Sequence, residues 1–188
     1  MRKLRAFDSV TLDGYFSGPN GDFSWSAKNP NDAEWNAFVA NNAKGDGVLV
    51  MGRKTYEIMK SYWPSSSAHR DFPEVAERMN SGQKVVFSRT LDSADWSNTK
   101  IVKDDPATAM RKMKAESGGD MTILGSGTIV SQLAQAGLID EYEFVMTPVV
   151  LGEGRTLFEG MKGKHDLTLK QSRSFHNGNV VLWYEPAA

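Results

Sequence analysis

A chain of 188 residues, of which 40% are hydrophobic and 24% charged, is the size of one domain with a substantial apolar core. Its formal net charge of −1 provides no basic excess, so neither nucleic acid nor an anionic membrane is expected as a partner. The chain has no cysteine, which excludes disulfides and thiolate sites, and it shows neither a membrane-length apolar run nor a signal-peptide pattern, so we expect a cytoplasmic protein.

The first part of the chain alternates strand and helix patterns. Lys3 to Val10 is predicted to be a strand, and the turn-forming residues from Tyr15 to Asp22 predict a long loop. Apolar residues on one helical face predict a helix from Asp32 to Ala43. The short apolar run Val48–Met51 predicts a strand that is covered on both faces, and the helix after it is expected to stop at Pro64.

The alternation continues after a polar stretch. Ser65 to His69 is predicted to be a loop, and Pro73 suits the first turn of the next helix. Lys84–Ser88 is the following predicted strand. A short strand around Ile101 then precedes a helix that begins at Asp105 and Pro106.

The most informative stretch is a glycine turn between a strand and a helix. The apolar run Met121–Leu124 ends in Gly125-Ser126-Gly127-Thr128, and a helical pattern follows directly. Thr128 or Ser126 is expected to cap this helix, whose first N–H groups then suit a phosphate or pyrophosphate. A joint that needs glycine only for its geometry explains the same residues, so both interpretations remain open at this point.

The last third of the chain carries strand patterns only. Asp140 to Met146 alternates, Leu167 and Leu169 mark a further strand, and Asn177-Gly178-Asn179 predicts a hairpin before Val180 to Tyr184. Residues 1–188 are therefore predicted to form a single α/β domain. Its sheet is expected to be mostly parallel, with antiparallel strands at the C-terminal edge and helices on both faces.

Three strand-to-helix joints carry candidate phosphate ligands. They are Gly52-Arg53-Lys54-Thr55, Ser88-Arg89-Thr90 and the turn Gly125–Thr128. In an open α/β sheet, ligands bind beyond the carboxyl ends of the strands. Arginine suits a phosphate because its guanidinium is planar and always charged. A single arginine is more simply a solvated surface charge, but three such joints favour a ligand with several phosphates.

Other chemistries find little support in the sequence. The glycine turn lacks the third glycine of a dinucleotide-binding fingerprint. There is no Gly-x-Ser-x-Gly motif for a serine nucleophile, and His69, His165 and His176 are scattered in polar stretches. With cysteine absent as well, no transition-metal site is expected.

The motifs resemble one superfamily over nearly the whole chain. Val48–Glu57 resembles the strand–helix signature of dihydrofolate reductases, and Thr11–Tyr15 resembles the Ser/Thr-Leu-Asp-Gly motif of the riboflavin-pathway pyrimidine reductase domain, the C-terminal domain of RibD. The same superfamily is matched, in the same order, by Lys84–Arg89, Gly125–Thr128, Leu138–Tyr142, Pro148–Gly154 and Phe158. The chain resembles a stand-alone member with the three-layer dihydrofolate-reductase-like fold.

This resemblance implies a reductase that takes a hydride from NADPH and acts on a pterin-like or pyrimidine-like heterocycle. Ser88 and Arg89 would meet the adenosine 2′-phosphate, and the strand end from Val10 to Gly14 would lie near the nicotinamide. The remaining phosphate ligands that the resemblance implies are Gly52, Arg53, Thr55, Gly125, Ser126, Gly127 and Thr128.

The substrate side is less clearly marked. Asp13 is the candidate for a polar group near the reacting ring, although a turn aspartate before Gly14, bonded to its own backbone, explains this residue at least as well. Folate reductases hold the pterin ring with a carboxylate on the helix after the first loop, where this chain has Asp32 and Glu34, but neither matches that position well enough to be assigned the role, and Asp32 also suits a helix N-cap. Aromatic side chains for a flat heterocycle are predicted at Tyr15, Trp25, Trp35 and Phe38, the last two of which also suit a helix packed in the core.

Two functional hypotheses follow. The first is an NADPH-dependent reductase, and the second is a binding module that keeps the cofactor cleft without turnover, as a sensor or interaction domain. The resemblance also implies a homodimer, for which the strands from Phe175 to Tyr184 offer an interface. An ordinary sheet edge explains the same strands.

Overall fold

Eight strands form one sheet in the computed structural model of the protein, which describes residues 1–26 and 29–187. The strands of the chain are β1 (Leu4–Thr11), β2 (Tyr15–Ser17), β3 (Val48–Gly52), β4 (Lys84–Phe87), β5 (Thr99–Val102), β6 (Met121–Leu124), β7 (Glu141–Thr147), β8 (Arg155–Thr156), β9 (Leu167–Ser174) and β10 (Val180–Pro186). The helices are α1 (Ala33–Ala43), α2 (Arg53–Tyr62), α3 (Ser66–Asp71), α4 (Pro73–Ser81), α5 (Pro106–Ala115) and α6 (Gly127–Gln135).

The strand order of the large sheet is β5-β4-β3-β6-β1-β7-β10-β9. The first six strands in this order, which end with β7, all pair in parallel with their neighbours. Strand β10 is antiparallel to both β7 and β9. This confirms the predicted mostly parallel sheet with an antiparallel C-terminal edge. Parallel neighbours require crossovers, which the helices supply.

Successive side chains of the buried strands point to opposite faces of the sheet and so contribute to two separate layers of the core. In β3, Val48 and Val50 pack with residues of α5 and α6, while Leu49 and Met51 pack with residues of α1 to α4. Helices therefore cover both faces of the sheet, as predicted. A third cluster beneath α1 joins Val145, Phe175 and Val181, with Trp35 and Phe38 packed against it.

The predicted loop from Ser65 to His69 is wrong, because the chain forms the helix α3 there. The Ser65 side chain accepts a hydrogen bond from the Ala68 backbone N–H at 3.2 Å, and Ala68 is buried. A helix of six residues buries too few side chains to show the 3.6-residue apolar periodicity of a helix, so the N-cap serine was the sequence signal that indicated it. Within the predicted loop from Tyr15 to Asp22, the short strand β2 pairs with β8.

Candidate functional site

The three predicted joints lie side by side at the carboxyl ends of neighbouring strands of the sheet. Strands β4, β3 and β6 are consecutive neighbours and run parallel, with Gly52 opposite Phe87 and Val50 opposite Ile123. Their carboxyl ends therefore meet, which is the arrangement that creates a ligand crevice in an α/β sheet. The glycine turn follows β6, and Arg53 and Arg89 follow the other two strands.

Ser126 connects two of these joints. Its hydroxyl accepts a hydrogen bond from the Gly52 backbone N–H at 2.7 Å and donates one to Thr55 Oγ1 at 2.8 Å. Ser126 also adopts the left-handed backbone conformation, with φ of 67°, which is uncommon for a residue other than glycine. The clamp between the ends of β3 and β6 stabilises this conformation.

The capping role predicted for Ser126 or Thr128 is wrong. Ser126 occupies the N-cap position of α6, but its side chain makes no capping hydrogen bond, because the hydroxyl is committed to Gly52 and Thr55. Thr128 is exposed in the first turn. The Ile129 N–H donates to the Ser126 carbonyl at 2.7 Å, which leaves the N–H groups of Gly127 and Thr128 as the candidates for an anion.

Both glycines of the turn are required by their surroundings. A Cβ at Gly127 would lie 2.8 Å from the Phe16 ring, and one at Gly125 would lie 3.3 Å from Thr55 Oγ1. Gly125 also has a positive φ of 54°, which favours glycine. The joint thus needs glycine for its geometry, because side chains of neighbouring segments fill the space that a Cβ would occupy.

The charged and polar side chains at these joints differ in how far they are engaged. Arg89 is exposed and makes no hydrogen bond or ion pair with another residue of the described ranges. Arg53 pairs with Glu57 at 2.9 Å on the surface of α2. The Ser88 hydroxyl accepts hydrogen bonds from the backbone N–H groups of Thr90 and Leu91. An exposed guanidinium with no ion-pair partner in the described ranges fits a phosphate-bearing cofactor.

A cavity of about 770 Å³ adjoins this edge. It runs from Gly125 of the glycine turn and the segment 16–26, past β1 and α1, to α4, where Val75 and Arg78 belong to its lining. A cavity of this size suits a small organic molecule with several rings. It therefore places a second binding region next to the candidate phosphate site.

The predicted aromatic residues divide between cavity and core. Trp25 and Trp35 line the cavity. Phe38 instead packs against Phe175 and Trp183, with ring centroids 5.0 and 6.1 Å apart, so it is a core residue. Tyr15 lies outside the cavity lining, in the small β2–β8 sheet.

Asp13 is engaged in backbone contacts, not in the cavity. Its carboxylate accepts hydrogen bonds from the Gly152 N–H at 2.8 Å, the Leu151 N–H at 3.1 Å and the Thr11 hydroxyl at 2.6 Å. The Thr11 hydroxyl and the Gly152 N–H lower the pKa of Asp13. These contacts hold the loop after β7 against the end of β1, so the geometry favours the turn interpretation over a catalytic one.

Two other residues near the end of β1 and the start of α1 have structural positions. Val10 is a buried member of the core next to α5 and α6 and is absent from the cavity lining. Asp32 caps α1 by accepting from the Trp35 N–H at 3.0 Å, and its other oxygen accepts from Asn177 at 2.8 Å. The N-cap interpretation of Asp32 is thereby confirmed.

A charged cluster joins the cavity wall to the sheet. Arg5 donates to Glu143 at 2.8 Å and to Asn42 at 2.8 Å, and Asn42 donates to the second Glu143 oxygen at 3.0 Å. Glu143 is buried, and burial raises its pKa while the nearby Arg5 lowers it. The cluster fastens α1, through Asn42, to β1 and β7.

The sequence prediction missed Asp8. This residue is 3% exposed, and burial raises the pKa of its carboxyl well above the usual range. Its position in β1 follows the alternation of the buried residues Leu4, Ala6 and Val10. In the sequence, the pattern that indicates Asp8 is a single aspartate at a position of β1 where the alternation predicts an apolar residue.

Asp8 shares an unusual property with Trp25. Among residues 1–26 and 29–187, Asp8 Oδ2 and Trp25 Nε1 are the buried side-chain atoms that lack a hydrogen-bond partner. Both residues line the cavity. Since buried polar groups are normally satisfied, these two atoms are candidate partners for a polar ligand of the cavity.

Two further features concern only the described part of the chain. Its helices are all too short or too polar to cross a membrane. Its His, Asp and Glu side chains form no group of three or more that is placed to hold a metal ion.

Comparison with known proteins agrees with this architecture. The family model described as "RibD C-terminal domain" matches residues 2–181. The uncharacterized protein YyaP of Bacillus subtilis (strain 168) is 30% identical over 176 residues, which cover 94% of this chain and 90% of that protein.

Solved structures share the fold at low identity. A diaminohydroxyphosphoribosylaminopyrimidine deaminase/5-amino-6-(5-phosphoribosylamino)uracil reductase from Thermotoga maritima aligns with a TM-score of 0.70 and 12% identity, over 99% of this chain and 57% of that one. Dihydrofolate reductase from Enterococcus faecalis, complexed with NADP(H), aligns with a TM-score of 0.65 and 16% identity, over 99% and 97% of the two chains. The protein has a dihydrofolate-reductase-like fold.

Proposed function

Because the chain belongs to the RibD C-terminal domain family, we propose that it is an NADPH-dependent reductase of a pterin-like or pyrimidine-like heterocycle. The observation that carries this proposal is the adjacency of two regions. The carboxyl ends of β4, β3 and β6 form one edge with cationic and helix N-terminal groups, and that edge adjoins the cavity through Gly125. The first region suits a dinucleotide, and the second suits its reaction partner.

The phosphate side of the proposal rests on Arg89 and the start of α6. The α6 N–H groups and the glycine turn would hold the pyrophosphate, with Ser126 keeping the turn clamped to β3. Arg89, which has no ion-pair partner among the described residues, would meet the 2′-phosphate that distinguishes NADPH from NADH. NADPH, when bound, would supply the hydride.

The cavity side orients the acceptor and excludes water. Trp25 and Trp35 provide aromatic surface for a flat ring. The Arg5–Glu143–Asn42 cluster and the Asp32 cap hold α1 in place over the sheet, so the cavity keeps its shape. A preformed site of this kind contributes by positioning its ligands.

The proposal is tested first by fluorescence titration with NADPH and, in parallel, with NADH. We expect NADPH to bind more tightly, and Arg89→Ala to weaken NADPH binding by about ten- to a hundredfold, because a charge-assisted phosphate contact is lost. The matched control is Arg70→Ala, which removes an arginine paired with Asp71 on the surface of α3. Equal loss in both variants would contradict the assignment of Arg89.

Turnover separates the two hypotheses. NADPH oxidation in the presence of 7,8-dihydrofolate or 5-amino-6-(5-phosphoribosylamino)uracil is expected of a reductase with this fold. Tight NADPH binding without oxidation across a panel of such heterocycles would favour the binding module instead. Binding of neither nucleotide would refute both.

A further inference from the structure

We propose that Asp8 is the proton donor of the reduction, delivering its proton to a ring nitrogen of the substrate while the adjacent carbon receives the hydride. The inference rests on the proposed reductase function and deepens it by naming a residue and a class of bond. The substrate class is a heterocycle with a C=N bond, whose nitrogen needs a proton when its carbon is reduced.

The position of Asp8 relates the two binding regions. In the parallel pairing of β1 with β6, Phe7 lies opposite Leu124, the last residue of β6. Asp8 is therefore the first β1 residue beyond the end of β6, at the level where the glycine turn begins. Both Asp8 and Gly125 belong to the lining of the cavity, so this residue lies where the strand ends proposed for the cofactor adjoin the substrate cavity.

The surroundings of Asp8 are apolar. Leu4, Ala6 and Val10, which share its strand face, are all core residues, and its register partner on β7 is the buried Phe144. No described side chain or backbone group donates a hydrogen bond to its Oδ2 atom. Such a site disfavours the carboxylate and retains the neutral acid, consistent with the direction of its pKa shift.

The other charged groups of the cavity are engaged or more exposed. Asp32 and Asp120 already accept hydrogen bonds from the protein, and Asp46 and Glu141 are less buried than Asp8. The cations of the lining are also exposed or hydrogen-bonded to other groups. Lys3 is exposed, and Arg5 donates to Glu143. Lys44 donates to Asn41, and Arg78 donates to the backbone carbonyls of Ala43 and Gly47. Among the described acids of the lining, Asp8 is therefore the one that is buried and has a carboxyl oxygen without a partner.

Trp25 supports the same interpretation from another element. Its indole N–H is the second buried polar atom without a partner, and it can donate a hydrogen bond to an acceptor on the same ligand. An acid O–H and an indole N–H in one cavity suit a ring that presents two hydrogen-bond acceptors. A heterocycle with an imine nitrogen and a carbonyl group has that chemistry.

The step balances in atoms and electrons. The carbon of the C=N bond forms a C–H bond with the hydride of the reduced nicotinamide, which is thereby oxidised. The π electron pair of the C=N bond moves to nitrogen, where an N–H bond forms as the O–H bond of Asp8 breaks. The Asp8 carboxylate then recovers a proton from water.

The first test uses the ligand-free protein and needs no turnover. Difference infrared spectroscopy of wild type against Asp8→Asn at neutral pH is expected to show the C=O band of a protonated carboxyl that the variant lacks. The exposed Asp92→Asn, on a side chain 91% accessible, is the matched control and should leave the band in place. A carboxylate signal for Asp8 at neutral pH would overturn the proposal.

The second test separates this proposal from the reductase function itself. We expect Asp8→Asn to bind NADPH within about twofold of wild type, and to lose at least about a hundredfold in NADPH oxidation with 7,8-dihydrofolate, whose ring holds the C=N bond that the proposed step reduces; this is the scale of a lost general acid. Retained NADPH binding with an unchanged rate would refute the role of Asp8 alone. Absence of NADPH binding in wild type would refute the reductase and, with it, the proton donor.

Discussion

Replacement of Arg5 by methionine is expected to destabilise the protein by leaving Glu143 buried without its cation. Glu143 is 0% exposed and keeps hydrogen bonds from Asn42, at 3.0 Å, and from Trp183 when Arg5 is gone. Breaking a buried ion pair from one side typically costs about 3–5 kcal/mol. The Arg5 side chain is 27% accessible, so solvent weakens the pair and we expect about 2–3 kcal/mol.

The same change should make stability more dependent on pH. Burial raises the folded-state pKa of Glu143 above its ordinary value of 4.5, and Arg5 opposes that shift. Without Arg5 the folded pKa rises further, so stability is lost as the pH increases through it. The difference from wild type should therefore be largest at neutral pH and shrink below the ordinary glutamate pKa.

Thermal and urea unfolding measure this effect. A loss of about 2–3 kcal/mol corresponds to a fall in Tm of roughly 4–12 °C for a chain of this size. Arg5→Met combined with Glu143→Gln should recover most of the loss, because no buried charge remains. Lys103→Met, which breaks the exposed pair with Asp92, should leave the midpoint unchanged. An Arg5→Met loss that is equal at acid and neutral pH would refute the reasoning.

Four further outcomes are expected. Gly127→Ala should destabilise by about 1–3 kcal/mol, since its Cβ would meet Phe16 at 2.8 Å, and unchanged urea unfolding would contradict this close approach. Asp32→Ala should cost about 0.5–2 kcal/mol by removing the cap on the Trp35 N–H; Asp32→Asn, which keeps a capping oxygen, should lose less, and equal losses would argue against capping. Burial lowers the pKa of the Lys84 amine from its ordinary value of 10.5 to about 8. The stability of the wild type relative to Lys84→Met should therefore increase as the pH rises from about 8 to 10.5. An amine that stays charged in the folded protein would show no such increase. Light scattering should find a homodimer, in keeping with the exposed edge strand β9, and a monomer would exclude it.

Much of the candidate phosphate site was predictable because it is local. The turn Gly125–Thr128 combines a strand end, glycines and a helix start within a few residues, and Asp32 carries the capping signal directly before its helix. These features depend on backbone preferences that neighbouring residues already express. The joints at Gly52 and Ser88 were found for the same reason.

The roles of single side chains were harder to predict. Ser126 was expected to cap α6, but its hydroxyl bonds Gly52 and Thr55, which are more than 70 positions away in sequence. Asp13 was a candidate for catalysis, yet its carboxylate accepts hydrogen bonds from the N–H groups of Leu151 and Gly152, which are 138 and 139 positions away. A polar side chain bonds whatever the fold brings within reach, and the local sequence does not specify those partners.

The alternation of apolar runs, the glycine turn and the shift to strand-only patterns after Gly137 were sufficient to predict the order of elements and the mixed sheet, because periodicity and turn chemistry are properties of neighbouring residues. The cavity, the unpartnered state of Asp8 and Trp25, and the anchoring of α1 through Arg5 and Glu143 arise only when distant segments pack together. Burial and desolvation are consequences of that packing. For Asp8, which nothing in the local sequence marks as charged or neutral, packing removes water from the carboxyl and raises its pKa.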